Sequence, residues 1–279
     1  DAQAQARLRL PLRRRQLPWH LVAAQAPLSM RSTAFDDALA GLGQLLGPGV
    51  LLRAVAETGS TNTDLLQACR KDAAPQMLVA EHQTMGRGRL GRSWQSAPGA
   101  SLTFSLAWPL TSNQLDGLSL AVGATLADAL DPSTQLLKLK WPNDLWLHGR
   151  KLGGVLIETA GHGAEPRSVV IGVGLNVMAP EVDVPSSGLQ ELDARWTAPM
   201  ALSAVLPPLV KLLAEWRGFG AAAQAAFAAR DALRGREVAG GAWSGVAEGV
   251  NAQGLLRLRD AQGQLHELRA GEARLREMS

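Results

Sequence analysis

The chain has 279 residues, 46% hydrophobic and 19% charged, which supports a packed core and fits one large domain with a small one, or two of medium size. A net charge of +3 is too mild to be a nucleic-acid footprint, and no apolar run reaches the roughly 18 to 20 residues that cross a bilayer. The single cysteine, Cys69, excludes an internal disulfide framework and a cysteine-based metal cluster, and it fits a reducing cytoplasm.

Residues 1–32 carry arginines and three punctuating prolines, Pro11, Pro18 and Pro27. They read as an extended arm and not as a secretion signal, although the chain does not begin with Met. Phe35, Leu39, Leu42 and Leu46 stand near helical spacing, so 34–46 is predicted as a helix that the Gly47-Pro48-Gly49 turn stops. From there strands and helices alternate. Residues 50–57 read as a strand, and 60–71 as a helix opened by Ser60 or Thr61 with Asp64 in its first turn. Residues 76–81 and 101–108 read as strands, and 112–130 as a long helix with Leu115, Leu118, Val122, Leu126 and Leu130 on one face. Strands follow at 136–140, 145–148 and 151–159, with a hairpin turn at His148–Arg150, and one more at 167–177. Residues 199–217 and 220–230 are Ala-rich helices. The last part, 233–279, is short strands punctuated by turn signals at Asn251–Gly254 and Asp260–Gly263, the pattern of a small SH3-like barrel. The expected division is an arm (1–32), a catalytic α/β domain (33–232) and the barrel (233–279).

The stretch Gly86–Gly91, GRGRLG, is a literal G-x-G-x-x-G. A dinucleotide-binding turn needs a helix directly behind it and an acid about 20 residues on. Here Pro98 and Gly99 lead into a strand, and no acid occurs between Glu81 and Asp116. Arg87, Arg89 and Arg92 also crowd a loop whose backbone should be bare. Two readings remain at this point. One is a glycine loop that delivers guanidinium groups to phosphate, with Trp94 beyond it to stack on a planar base. The other is a solvated basic loop followed by a core tryptophan.

The second cluster lies at 138–158. The chain has only five lysines, and Lys138, Lys140 and Lys151 fall within fourteen residues of one another. Pro142, Asn143 and Asp144 are turn formers as well as polar groups. Gly153 and Gly154 would weaken a strand unless something approaches its backbone closely, and Lys151 beside them is placed to meet an anion.

In this order, STN (60–62), EHQTMGRGRLGRSW (81–94), KWPND (140–144), RKLGGVLIE (150–158) and IGVGLNV (171–177) resemble the motifs of biotin–protein ligases, and GEARLRE (271–277) resembles the end of that family's C-terminal barrel. The resemblance covers about residues 51–279. It implies an α/β fold with a mixed sheet, shared with lipoate ligases, plus an SH3-like domain. It implies a two-step reaction: biotin and Mg-ATP give biotinyl-5′-adenylate and pyrophosphate, and a lysine of a biotin carboxyl carrier domain, of acetyl-CoA carboxylase or a related carboxylase, then displaces AMP. By the same resemblance Ser60, Thr61, Asn62 and Gln83 bond the ureido head of biotin, and Arg87, Gly88 and Arg89 belong to a loop that orders over biotin and adenylate. Arg89 and Arg92 meet phosphate, Trp94, Asn143 and Asn176 lie on the adenine side, and Lys151 sits near the biotin carboxylate and α-phosphate. Asp144 is assigned to Mg²⁺ or to the incoming lysine amine, and no residue is firmly assigned as a metal ligand. Some members begin with a helix-turn-helix repressor module. The first 50 residues here do not build one, so a form without DNA binding is expected, with homodimerisation open. A lipoate ligase or octanoyl transferase on the same scaffold is the nearest alternative, opposed by the GRGRLGRSW and KWPND motifs. A basic nucleic-acid-binding protein is the alternative of another class, opposed by the modest charge.

Overall fold

The structure is a computed structural model that describes residues 34–46, 49–110, 115–160, 167–271 and 276–277. The expected arm at 1–32, the first residues of the predicted helix at 112–114 and part of the GEARLRE tail lie outside the described residues.

Helix α1 (Asp36–Leu46) leads to strand β1 (Leu51–Thr58), helix α2 (Thr61–Ala68), strand β2 (Gln76–Gln83), strand β3 (Ser101–Leu110) and helix α3 (Leu118–Leu130). Strands β4 (Leu137–Lys140), β5 (Asp144–Leu147), β6 (Arg150–Ala160) and β7 (Arg167–Asn176) follow, then helices α4 (Ala198–Glu215) and α5 (Ala221–Arg230). These strands form a seven-stranded mixed sheet in the order β1-β2-β3-β7-β6-β5-β4. Only β1 and β2 run parallel, with α2 as their crossover; the other pairs are antiparallel. Strands β8 (Glu237–Gly240), β9 (Trp243–Val250), β10 (Leu256–Arg259), β11 (Leu265–Leu268) and β12 (Arg276–Glu277) form a second, antiparallel sheet, ordered β11-β10-β9-β8-β12, as expected of an SH3-like module. The expected division at residue 233 falls between α5 and β8.

The alternation in β3 decides which face is which. Leu102, Phe104, Leu106 and Trp108 point one way and are buried with Val169, Ile171, Val173 and Leu175 of β7. Helices α1, α3, α4 and α5 cover this face. The opposite face carries Ser101, Thr103 and Ser105 of β3, Gly172, Gly174 and Asn176 of β7, Gly154 of β6 and Asp144 of β5. Among the described residues the helix that packs on it is α2, through Leu65 against Leu78, Ala107 and Val170. Cys69, at the end of α2, packs against this small cluster, and burial pushes its thiol above the ordinary value.

Local geometry explains three departures from the sequence reading. Helix α3 starts at Leu118, six residues later than predicted, because Gly117 adopts φ +72° and any side chain there would overlap the Phe219 ring. Helix α2 stops at Ala68, not residue 71, and Cys69 to Asp72 close a tight turn on its last carbonyls. Helix α4, at 18 residues, is long and apolar enough to cross a membrane by length and composition, which the sequence reading had excluded. Its Ala201, Leu202, Val205, Leu206, Leu209, Val210 and Leu213 form a buried stripe in the core, and Pro207 and Pro208 lie off that stripe.

Candidate functional site

The polar face of the sheet holds the predicted residues in two groups over one glycine floor. At the α2 end, Ser60 occupies the N-cap position in extended backbone, yet its hydroxyl makes no cap bond. Such a bond is ordinarily worth about 1 kcal/mol, so an unused serine cap is a hydroxyl available for something else. Thr61 follows; its amide donates to Gln83 Oε1 at 2.8 Å and its hydroxyl lies 3.1 Å from the same oxygen. The Thr61 hydroxyl also lies 2.6 Å from Ser105 Oγ, and Ser105 donates to Asn62 Oδ1 at 2.5 Å. Asn62 Nδ2 donates to Glu158 Oε2 at 2.8 Å and to the Leu156 carbonyl at 3.4 Å. Ser60, Thr61, Asn62 and Gln83 are all buried. The bonds among Thr61, Gln83, Ser105 and Asn62 hold this buried cluster rigid, which suits recognition of a neutral polar group.

Gly172 makes room for this cluster. A Cβ built there would overlap the Asn62 amide and stand 2.9 Å from its Cγ. Two residues on, Gly174 makes room for Trp94: its Cβ would lie 2.6 Å from the indole ring. The glycines of the GVG run thus serve close approach of side chains to the strand; at Gly153, where the sequence also suggests close approach, a Cβ would meet the Gly174 carbonyl and Leu175 of the neighbouring strand.

The GRGRLG segment is a hairpin and not a helix-capping turn. Arg87 bridges to Ser93, the Gly88 amide donates to the Arg92 carbonyl at 2.7 Å, and the Trp94 amide donates to the Gly86 carbonyl at 2.8 Å. Leu90 (φ 57°) and Gly91 (φ 72°) turn its tip through the left-handed region. Arg87 reaches back to Glu158, with Nη2 3.0 Å from both carboxylate oxygens. Arg89 is half-buried; burial lowers its pKa and the nearby Asp144 charge opposes that shift. Arg92 is exposed on the returning leg.

The second group forms around Asp144. Lys151 Nζ donates to Asp144 Oδ1 at 2.7 Å, and the charge of the same carboxylate also acts on Arg89. An irregularity in the β5–β6 register puts Lys151 opposite Trp146 on the polar face. Lys151 is also held through its backbone: its amide donates to the Pro185 carbonyl, and its carbonyl accepts from Ser187. Asn143 Nδ2 donates to the Val155 carbonyl at 2.8 Å, and Asn176 Nδ2 to the Ser187 carbonyl at 3.0 Å, so both asparagines brace the strands beside Lys151. The structure therefore brings Arg89, Asp144, Lys151, Asn143 and Asn176 to one end and Ser60, Thr61, Asn62, Gln83 and Arg87 to the other, with Trp94 resting on Gly174.

The sequence reading missed Ser105 and Glu158. The alternation of β3, which sets Ser101, Thr103 and Ser105 against Leu102, Phe104 and Leu106, marks Ser105 as facing away from the core. Glu158 is the acid in an otherwise apolar run, VLIET, where a carboxylate needs a partner. Its partners are 71 and 96 residues away in sequence, Arg87 and Asn62.

Residues 55–176 match the Biotin/lipoate A/B protein ligase family. The biotin–[acetyl-CoA-carboxylase] ligase of Mycobacterium tuberculosis is 35% identical over 249 residues, covering 82% of this chain and 91% of that protein. The bifunctional ligase/repressor BirA of Escherichia coli is 39% identical over 145 residues, which cover 51% of this chain and 44% of that protein. The biotin protein ligase of Aquifex aeolicus, solved in complex with biotin and ATP, superposes with a TM-score of 0.71 at 28% identity, over 81% of this chain and 99% of that one. The chain belongs to the biotin–protein ligases of the biotin/lipoate ligase family.

Proposed function

We propose that this protein activates biotin as biotinyl-5′-adenylate with ATP and transfers the biotinyl group to a lysine of a biotin carboxyl carrier domain. The observation that carries the reading is the polar sheet face itself. A buried, hydrogen-bonded polar cluster at one end and a carboxylate paired with Lys151 at the other share one floor cleared by glycines. The relatives support it, being a biotin–[acetyl-CoA-carboxylase] ligase and a biotin protein ligase bound to biotin and ATP.

In this reading the neutral ureido head of biotin meets the Ser60 hydroxyl and the Gln83 amide, beside the Thr61–Ser105–Asn62 network. The biotin carboxylate and the α-phosphate are both anions, and their approach is unfavourable unless positive charge lies between them. Lys151, paired with Asp144, and Arg89, near enough to feel the same carboxylate, supply that charge. A carboxylate oxygen of biotin attacks the α-phosphorus, and pyrophosphate leaves. The amine of the carrier lysine then attacks the acyl carbon of the adenylate, loses a proton, and AMP leaves. Trp94, braced on Gly174, and Asn143 and Asn176 line the nucleotide side, while Arg92, exposed on the hairpin, is within the segment that faces phosphate. Among the described residues no three His, Cys, Asp or Glu side chains gather as a metal cage. Asp144 would hold Mg²⁺ that arrives with ATP, alongside phosphates and water. The metal would neutralise phosphate charge.

The test is a carrier-labelling assay. With ATP and biotin, purified protein should add one biotinyl group to a carrier-domain lysine and release AMP. Lys151→Ala and Arg89→Ala should each slow adenylate formation by about 10²–10³-fold, the ordinary loss for one charge-stabilising group. Rates near the unaltered protein in both variants would remove Lys151 and Arg89 from the chemistry.

A further inference from the structure

Glu158 ties the head pocket to the glycine hairpin. It lies on β6 facing the same way as Gly154 and Leu156. Its side chain is half-buried, 26% exposed. Oε2 accepts from Asn62 Nδ2 at 2.8 Å, and Arg87 Nη2 lies 3.0 Å from each oxygen. One side of this carboxylate therefore holds a pocket residue, and the other holds the loop.

The order of protons in the pocket depends on this contact. Ser105 has one hydroxyl proton and gives it to Asn62 Oδ1, while the Thr61 hydroxyl donates to Gln83 Oε1. That order requires Asn62 to present its oxygen to Ser105 and its nitrogen to Glu158. An amide flipped end for end would point Nδ2 at Ser105 and Oδ1 at an anion, which is repulsive. The Glu158 charge thus fixes the Asn62 orientation, and through it the direction in which Ser105 donates.

We propose that Glu158 is a positioning residue with two roles: it sets the amide orientation of Asn62 in the biotin pocket, and it latches Arg87 so that the Gly86–Gly91 hairpin stays over the adenylate. This rests on the biotin-adenylating reading above. The two roles separate by substitution. In Glu158→Gln the side-chain oxygen still accepts from Asn62, but Arg87 loses its anion. In Glu158→Ala both contacts go.

The experiment measures the KM for biotin in ATP–pyrophosphate exchange and the rate at which biotinyl-adenylate leaves the enzyme in a chase, with melting temperature recorded for each variant. Glu158→Gln should leave the biotin KM within about twofold and release adenylate about three- to tenfold faster, the range for one partly exposed charge-assisted contact. Glu158→Ala should show the same faster release and, in addition, a biotin KM raised about tenfold. Adding Arg87→Ala to Glu158→Gln should cause no further acceleration of release, because the two changes remove one contact. If Glu158→Ala does not fold, the release rates of Glu158→Gln, Arg87→Ala and their combination decide alone. Release and KM unchanged in the Glu158 variants, or additive effects of Glu158→Gln and Arg87→Ala, would overturn the proposal. The unaltered protein separates this from the broader reading: if it forms no biotinyl-adenylate, both fall, and if it forms adenylate while the variants match it, only the Glu158 proposal falls.

Discussion

At the scale of single residues the site depends on side chains that are missing as much as on those present. Gly172 and Gly174 stand where any Cβ would meet Asn62 and Trp94, respectively. Filling such a space forces a well-packed neighbour to move, at a typical cost of about 1–3 kcal/mol. Gly172→Ala should therefore displace the Asn62 amide and raise the KM for biotin by about tenfold, with a smaller effect on kcat at saturating biotin, because the loss is in ground-state binding. Steady-state exchange with biotin as the varied substrate measures this. An unchanged KM would mean that Asn62 lies outside the biotin pocket. Lys151 shows the complementary case. It has a carboxylate partner, Asp144, and a doubly bonded backbone, so its ammonium is placed before any ligand arrives. Preorganised charge of this kind costs little reorganisation during reaction.

At the scale of elements, the strands around the site are held by buried charges at their far ends. Arg230, at the end of α5 and 3% exposed, donates to Asp128, to the Leu137 carbonyl at the start of β4 and to the Asp131 carbonyl. Asp131 is buried, which by itself would raise its pKa. Bonds from Thr134 and the Leu137 amide, with the Arg230 charge, bring it below the ordinary carboxylate value. Its stabilising contribution is therefore present at neutral pH and lost as pH falls below the ordinary carboxylate range. Asp231, the next residue after α5, is the opposite case. Burial raises its pKa above the ordinary value, bonds from the Leu233 and Arg234 amides only partly offset this, and its Oδ2 has no hydrogen-bond partner. A carboxyl whose folded pKa is raised favours the fold most below its unfolded pKa and disfavours it as pH rises through the folded one. Asp231→Asn should thus stabilise the protein at pH 7, by roughly 1 kcal/mol for a desolvated charge removed, and the gain should vanish as pH falls through the carboxylate range. Urea unfolding of both forms from pH 7 to pH 3.5 checks it; a gain independent of pH would refute the electrostatic cause.

Much of this architecture is legible in sequence because strands with one covered face alternate. In β3 the leucines and phenylalanine go to the core and the serines and threonine to the site, and the hairpin at His148 and Gly149 closes with φ of 51° and 73°, as two left-handed positions require. The site motifs were legible as residue types at a spacing. The contacts were not. Lys151 meets Asp144 because the β5–β6 register is irregular, and Glu158 meets Asn62 because β6, β7 and β3 lie side by side in the sheet. Those facts belong to strand order, which no local pattern encodes. The late start of α3 had a local signal in Asp116-Gly117, but the tight packing on Phe219 that demands glycine is long-range.

At the scale of the whole molecule, the small C-terminal sheet is joined to the site domain next to the KWPND turn. Trp141 Nε1 donates to the Gly254 carbonyl at 3.0 Å, and a Cβ on Gly254 would lie 2.8 Å from the Gly117 Cα. Gln224 of α5 donates to the Val250 carbonyl of β9 at 2.7 Å. The turn that carries Asn143 and Asp144 is thus buttressed from the second domain, and the molecule presents one polar face with its two groups in fixed relation. GRGRLG, read alone, suggested a dinucleotide turn; in the folded chain it is a hairpin that carries Arg87 to Glu158 and Arg89 toward Asp144. The central claim is that this face joins the carboxylate of biotin to the α-phosphate of ATP. Isotope exchange between pyrophosphate and ATP tests it most directly, with biotin, lipoate and octanoate offered in turn. Exchange that depends on biotin and is absent with the other two acids is the predicted result. Exchange with lipoate or octanoate and none with biotin would contradict it.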